Sequence, residues 1–420
     1  NISTSSVTTS PVESTKNPSR SIADSAQNKE MKRRLHPRNI SSRQVSLLRA
    51  LISLSISLGP IFDSESWRYT FLTWQWITYY IYGPSADFKE SFYSEDIPPP
   101  PILTKSDVTS IESSLTKFFE STSSYSCSTF HLVLTRLILD SKNTLTLEQT
   151  NLNLNNDIGY HPLDAKDEII PCIYNKAFFV NKIGELATYN CKKFLFGKNG
   201  KELWSLISTY MIKLISNREM DNDSLRLYTV RVFTDIIKKA TNEVGNSDEQ
   251  DNKVKQFGTL ENLVIDSLMA TINSIKQLDI GKQEIYNGTI NVESDILFQL
   301  LLTLKEILNE FGELLMNSWT NIFNIINSPF EWTVEDTDFS VNEDIDDSSL
   351  FEGIVQKHKN MIQVSYDVFK LISDDFLQSL PMSVIKFVID TLVNFVSQKR
   401  NLNISFSSIS QFWLVGDYLR

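Results

Sequence analysis

The chain has 420 residues, of which 41% are hydrophobic, and its formal net charge is −11. This much apolar sequence exceeds what one compact core normally uses, so we expect a second domain or an elongated repeat array. An acidic chain lacks the positive surface that supplies most nonspecific affinity for nucleic acid, which disfavours DNA or RNA as a partner. Only 13 glycines and 13 prolines favour long helices over a many-turned all-β protein.

Residues 1–40 are rich in Ser, Thr, Asn and Pro and contain almost no large apolar side chains. Such a segment cannot bury enough surface to offset the entropy of ordering, so we expect a disordered linker there. Its basic cluster includes Lys32, Arg33 and Arg34, which are candidates for contact with anionic lipid or a localisation receptor. The alternative is a solvated run of linker charge.

From residue 41 onward, the apolar residues follow the 3.6-residue period of helices. The first stripe predicts a buried helix face made of Leu47, Leu51, Leu54 and Leu58. The second stripe contains Trp67, Phe71 and Trp74. Serines and Gly59-Pro60 interrupt the segment 47–62, which is therefore expected to be too short and too polar to span a bilayer.

Similar stripes recur up to Leu419 and indicate about a dozen helices without convincing β alternation. The cleanest one consists of Leu297, Leu301, Leu304, Leu308, Phe311 and Leu315. Irregular helical pairs with an expected period of about 40 to 47 residues are typical of HEAT and armadillo repeats. The sequence therefore predicts an all-α, HEAT/armadillo-type α-solenoid of antiparallel helical pairs over residues 41–420. The polar connection at 141–168 is a candidate division into two sub-arrays.

Aromatic residues are concentrated in the second predicted helix. Trp67 and Trp74 fit its inner face, whereas Trp76 and Tyr80 point elsewhere on a helical projection. Exposed Trp and Tyr dominate the energetics of many interfaces, so Trp76 and Tyr80 are candidate partner-binding residues. Packing against an adjacent repeat is the alternative interpretation.

The residues predict no catalytic centre, no cofactor site and no metal site. Cys127 and His131 share a helix face, but two ligands do not make a metal site. The segment 196–202 lacks the spacing and the Ser/Thr of a phosphate loop and is expected to be a turn. The acidic stretches 243–251 and 335–347 lack the order of an EF-hand and are expected to be solvated loops. Three scattered cysteines and the lack of an apolar leader favour the cytosol.

Several segments resemble one family of large trafficking proteins. The segment 48–59, followed by Ser66 and Trp67, is similar to a helix-turn-helix of the monensin-sensitivity scaffold proteins of the Golgi and endosomes. The segment 369–381 resembles that family's helix junction, and 402–419 resembles a later helix. Asn317-Ser318-Trp319 also has a counterpart there. These proteins are themselves relatives of the large Arf guanine-nucleotide exchange factors.

The resemblance implies a non-enzymatic scaffold in endosome and trans-Golgi membrane trafficking and protein transport. It implies a cytosolic protein that is peripherally associated with those membranes, directly or through a partner. It further implies a Dopey-type protein, an Arf-like GTPase and an aminophospholipid flippase as partners, and no cofactor. Two alternatives stay open, a regulatory fragment of an Arf-family exchange factor and a nuclear transport receptor built from similar repeats. The oligomeric state also stays open.

Overall fold

The described part of the chain, in a computed structural model, contains fourteen α-helices together with short 3-10 and π turns. The structure describes residues 41–82, 104–151, 177–197, 199–218, 223–245, 250–276, 289–331 and 348–420. No strand occurs in these ranges, so the all-α prediction is confirmed. The predicted linker 1–40 and the acidic stretch 335–347 lie outside the described residues.

The helices are numbered here in chain order. The first seven are α1 (Ser42–Leu58), α2 (Ser64–Tyr82), α3 (Lys105–Ser121), α4 (Cys127–Asn151), α5 (Phe178–Tyr189), α6 (Cys191–Phe196) and α7 (Gly200–Ser216). The remaining seven are α8 (Asp223–Gly245), α9 (Gln250–Lys276), α10 (Thr289–Phe311), α11 (Trp319–Asn327), α12 (Ser348–Leu371), α13 (Ile385–Ser397) and α14 (Leu402–Tyr418).

The helices form two layers. In the first layer, α1, α3, α5, α8, α10 and α12 pack side by side in that order. In the second layer, α2 packs on α4, and α7, α9, α11 and α13 follow one another. Successive helices along the chain alternate between the layers, apart from the short α6 that precedes α7. This arrangement is an α-solenoid, in which each helical pair contacts chiefly its neighbours.

Ion pairs between neighbouring helices show how the layers are built. Lys357 on α12 pairs with Asp295 on α10 at 2.7 Å, and Asp367 on α12 pairs with Lys305 on α10 at 3.1 Å. Both pairs are 62 positions apart, so the two helices run parallel. Glu261 on α9 accepts a hydrogen bond from the backbone N–H of Met316, just before α11, and Asp266 on α9 accepts one from Asn321 on α11. Both pairs are 55 positions apart. Neighbours within a layer are thus 55 to 62 residues apart at these places, longer than the expected period of 40 to 47 residues.

The start of α1 follows from its sequence. Ser41 accepts a hydrogen bond from the backbone N–H of Gln44 at 3.3 Å, and the Gln44 side chain accepts one from the backbone N–H of Ser41 at 2.8 Å. This capping box satisfies two donors at the helix N-terminus. The helix ends at Gly59, where a Cβ would lie 2.1 Å from the Tyr125 hydroxyl oxygen. Only glycine leaves room for that approach.

The face of α1 that packs inward differs from the prediction. The buried residues are Val45, Leu48, Ile52 and Ser55, whereas the predicted stripe is largely solvent-exposed. Leu47, Leu54 and Leu58 are exposed, and Leu51 is half-buried. The prediction was wrong because α1 carries two apolar stripes, and period alone does not decide which of them meets α3.

Most other predicted stripes are confirmed as core. Trp67, Phe71 and Trp74 are almost completely buried, and so is the α10 stripe from Leu297 to Leu308. Two boundaries differ from expectation: α4 continues beyond residue 140 to Asn151, so it enters the expected polar connection. The helix expected to start at Pro381 starts at Ile385, after a 3-10 turn.

Candidate partner-binding surfaces

The predicted binding residues are placed only in part. Trp76 and Tyr80 lie within α2, but their side chains are outside the described part of the structure. Lys32, Arg33 and Arg34 fall in residues 1–40, which are also outside it. The role of these five residues therefore stays a prediction.

The inner aromatic residues of α2 stabilise the core. The Trp74 ring meets the Phe118 ring of α3 edge to face with centroids 4.7 Å apart, and Trp67 stacks on Phe71 at 5.4 Å. Such aromatic pairs add stability beyond the area they bury. Tyr125 closes the cluster by donating a hydrogen bond of 3.0 Å to the Ser55 carbonyl oxygen. Burial raises the pKa of Tyr125 to about 12, so this donor keeps its proton at neutral pH.

An apolar stripe on α14 faces solvent. Its members are Leu402, Phe406, Ile409 and Trp413, which follow the i, i+4, i+7, i+11 spacing of one helix face. Phe406 is 69% exposed and Trp413 is 76% exposed. A different face of α14, which includes Ile404, Ser408 and Val415, is buried. We call the exposed set the α14 stripe.

The exposed part of α1 has the same spacing as the α14 stripe. Leu47, Leu54 and Leu58 face solvent, and Ile61 extends the surface beyond the helix. The first and the last described helices thus both expose an apolar stripe. Contiguous exposed apolar surface is typical of interaction sites. Sequence reasoning missed both surfaces: it assigned the α1 stripe to the core, and it named no stripe within the last helix.

One segment meets the length and composition of a membrane-crossing helix. Within the described ranges, Ser42–Ile61 is long and apolar enough to cross a membrane, judged by length and composition alone. The opposite was expected from its serines and Gly59-Pro60. Core-forming helices pass the same test. Val45, Leu48 and Ile52 of this segment pack in the protein core, which is how such a helix behaves in a helical array.

Candidate chemical groups were also located. Within the described ranges, no three His, Cys, Asp or Glu side chains are grouped so that they could hold a metal ion. Cys127 is half-buried and His131 is exposed on α4. Burial raises the pKa of the Cys191 thiol to about 12, which leaves it a poor nucleophile at neutral pH. Gly200 begins α7, and a Cβ there would lie 2.1 Å from the Phe194 carbonyl oxygen, as a tight turn requires.

A buried ionic cluster joins three helices. Glu293 on α10 accepts hydrogen bonds from Arg226 on α8 and from Arg218, which follows α7. Arg226 also donates to the Ile215 carbonyl oxygen on α7 at 2.7 Å. These contacts join α7, α8 and α10, so they position the three helices.

Comparison with known proteins gives one consistent family. The chain is 23% identical to the MON2 homologue of Caenorhabditis briggsae over 216 residues, which are 51% of this chain and 10% of that protein. It is 21% identical to monensin-resistant homolog 2 of Caenorhabditis elegans over the same length. The MON2 homologue of Schizosaccharomyces pombe is 22% identical over 231 residues, which are 55% of this chain and 12% of that protein.

The aligned part thus covers only about a tenth of each of these relatives. No protein-family model matches the chain, and no solved structure matches it. The relatives come from nematodes and a fission yeast, and a similar match exists in Drosophila melanogaster. The repeated appearance of the same family over half of the chain agrees with the segment resemblances in the sequence. The chain is therefore similar to MON2 proteins over about half of its length.

Proposed function

We propose that the chain is part of a non-enzymatic scaffold for protein transport between endosomes and the trans-Golgi network. It is a HEAT/armadillo-type array in the cytosol that associates peripherally with those membranes. Its partners are a Dopey-type protein, an Arf-like GTPase and an aminophospholipid flippase. The observation that carries this proposal is the match to MON2 proteins across animals and a fission yeast.

The surface of the array supports a binding role. The α14 stripe places four large apolar side chains on one solvent-facing helix surface. A helix with such a stripe packs well against the apolar face of another helix, because ridges of side chains fit into grooves. Large aromatic side chains such as Trp413 are typical anchors of protein interfaces. A scaffold made of helical repeats binds partners through surfaces of this kind.

The alternatives make different predictions. A regulatory fragment of an Arf-family exchange factor acts together with a group that enters the nucleotide site of the GTPase. Exchange needs that group on a rigid platform, because a mobile carboxylate is poorly aimed. A nuclear transport receptor instead binds a nuclear GTPase in its GTP form. We expect the chain alone neither to accelerate nucleotide release nor to bind that nuclear GTPase.

The experiment is a binding assay with the purified 420-residue chain immobilised. A Dopey-type protein and an Arf-like GTPase loaded with a GTP analogue or with GDP are passed over it separately. We expect at least one of them to bind at micromolar concentration. Release of a fluorescent nucleotide is measured in parallel. Binding of neither protein contradicts the proposal, and a reproducible acceleration of about tenfold favours the exchange-factor alternative.

A variant pair tests the role of the α14 stripe. Phe406→Asp with Trp413→Asp places two charges on the stripe, and Leu414→Asp places one on a different exposed part of the same helix. We expect the double variant to weaken binding of the partner protein at least about tenfold, because anchor residues carry most of the binding energy. We expect Leu414→Asp to leave that binding within about twofold. Equal binding by both variants excludes the stripe as the binding surface.

A further inference from the structure

An open cleft lies in the second layer between α4 and α7. The hydroxyl of Tyr210 on α7 donates a hydrogen bond to Ser141 on α4 and bridges the two helices. His131 lies ten positions before Ser141, Lys201 lies nine positions before Tyr210, and both line the cleft. The helices therefore run in the same direction beside it. At the rise of an α-helix, this part of the cleft is about 15 Å long. Its volume is about 570 Å³.

The floor of the cleft is apolar. Ile138 on α4 is buried, Leu206 on α7 is half-buried, and the Tyr210 ring lies beside them. Burial raises the pKa of Tyr210 to about 12, so its hydroxyl stays protonated and remains available to donate to Ser141. Tyr210 is 4% exposed, so the edge of its ring completes the floor beside Ile138 and Leu206. An apolar floor of this kind accepts an aliphatic or aromatic side chain.

The rim of the cleft is cationic although the whole chain is acidic. Lys201 stands at one end beside His131, and Lys142 and Lys213 stand at the other end. The Lys142 Nζ atom lies 5.8 Å from the centre of the Tyr210 ring. Lys201 and Lys213 are exposed and form no ion pair with any described residue. Glu202 is the one carboxylate among the lining residues.

This pattern selects the chemical class of the ligand. Lys201 and Lys213 are twelve positions apart on α7, about 18 Å along the helix axis. Carboxylates four positions apart on an extended peptide are about 13 Å apart, a difference that the flexible lysine side chains can bridge. Residues i, i+2 and i+4 of an extended peptide point to the same side, so the middle one faces the apolar floor. A densely charged phosphate cluster fits less well, because it leaves the floor uncovered and meets the Glu202 carboxylate.

We propose that the α4–α7 cleft binds a short acidic segment of a protein partner in extended conformation. The segment carries acidic residues at its first and fifth positions and a large apolar residue at its third. The first and fifth carboxylates pair with Lys201 at one end and with Lys213 at the other. The exposed Ser205 and Thr209 hydroxyls along α7 offer hydrogen bonds to the peptide backbone. The inference is independent of the trafficking role proposed above.

The test uses a labelled probe peptide of sequence Ser-Glu-Ser-Leu-Ser-Glu-Ser and the full 420-residue chain. Fluorescence anisotropy gives the dissociation constant at low and at high salt. We expect saturable binding that weakens as salt rises, because exposed charge pairs are screened. A control peptide with leucine moved by one position points that side chain away from the floor and is expected to bind more weakly. A peptide with lysine for glutamate is expected not to bind.

Two lysine variants locate the site. Lys201→Glu with Lys213→Glu reverses one charge at each end of the cleft, and Lys370→Glu reverses an exposed charge on α12 as the matched control. All three lysines are exposed, so both variants are expected to have melting temperatures close to that of the parent chain. We expect the double variant to bind the peptide at least about tenfold more weakly and the control variant to bind within about twofold.

Three outcomes overturn the inference. The first is no binding of the peptide at about 1 mM in low salt, which is weaker than any useful affinity. The second is binding that the double variant retains. The third is lysine-dependent binding of inositol hexakisphosphate or of vesicles with phosphatidylserine when the peptide does not bind, which assigns the cleft to phosphate groups instead.

Discussion

The carboxylate of Glu293 lies 2.6 Å from the guanidinium Nη2 of Arg226, and both side chains are removed from solvent. Glu293 also accepts from Arg218 at 2.9 Å. The pair joins α8 to α10 in the first layer. Because each charge was taken out of water, the loss of either partner leaves the other uncompensated.

Replacement of this carboxylate should therefore be costly. We expect Glu293→Ala to lower the free energy of unfolding by about 3–5 kcal/mol, since the buried Arg226 and the partly buried Arg218 lose their anion. Asp223→Ala is the matched control, because Asp223 pairs with the same arginine at 3.3 Å but is half exposed. Its expected cost is below about 1 kcal/mol. Urea denaturation of both variants measures the difference, and similar costs for the two would contradict the central role of Glu293.

The close approach of Gly312 to Phe376 makes a second prediction. A Cβ at position 312 would lie 2.2 Å from the Phe376 ring, whereas a Cβ at Gly416 on α14 meets no atom within 4 Å. We expect Gly312→Ala to cost about 1–3 kcal/mol by overpacking. Gly416→Ala should instead stabilise α14 by about 0.4–1 kcal/mol, because alanine has fewer unfolded conformations and a better helix propensity. Thermal melts check both signs, and stabilisation by the first change would be inconsistent with the contact.

The two faces of α1 can be distinguished by a pair of leucines. Leu48 is buried and Leu47 is 60% exposed. Leu48→Ala is expected to lower the free energy of unfolding by about 2–5 kcal/mol through lost burial and a cavity. Leu47→Ala should change it by less than about 0.5 kcal/mol. Denaturation curves of the two variants decide which face packs inward, and the reverse order would restore the face predicted from sequence.

A pH dependence is expected at His358. Its Nε2 atom lies 3.0 Å from the Pro329 carbonyl oxygen, and burial lowers the pKa of the imidazole below its usual value. The neutral ring is thus the form that the fold favours. Because the unfolded chain takes up this proton at a higher pH, the contribution of His358 is complete above about pH 6.5 and declines as pH falls below it.

His358→Gln tests this linkage, because its amide can still donate to Pro329 but does not titrate. The parent chain should lose stability between pH 7 and pH 5 more steeply than the variant, in denaturation curves recorded at each pH. Parallel pH profiles for the two proteins would show that His358 does not contribute. Carboxyl groups such as Asp140 are common to both proteins and cancel in the comparison.

The sequence predicted the helices well because apolar period is a local property. The stripe predicted on α10 and the inner face predicted on α2 consist of residues that the structure buries. On α1, two apolar stripes were available, and the stripe that contains Leu48 and Ile52 is the one buried where α1 packs against α3. Period within one helix carries no information on such a partner.

The α4–α7 cleft was beyond sequence reasoning for the same reason. His131 was singled out only as a helix neighbour of Cys127, and Lys201 only as part of a glycine-rich turn. Their common position depends on the bridge from Tyr210 to Ser141, which spans 69 positions. The sequence shows the lysines and the acidic net charge, but it does not show that lysines from two helices lie around one cleft.

The position of α14 in the array sets the order in which backbone amides should meet solvent. This helix packs on α13, and Gln411 on α14 accepts a 2.8 Å hydrogen bond from the Ser373 hydroxyl. The α14 stripe faces solvent. In contrast, α10 is enclosed by α8 and α12. Among the described helices, α14 packs chiefly on α13, and local opening costs least where few packed contacts are broken. The backbone amides of α14 should therefore exchange with deuterium well before those of α10.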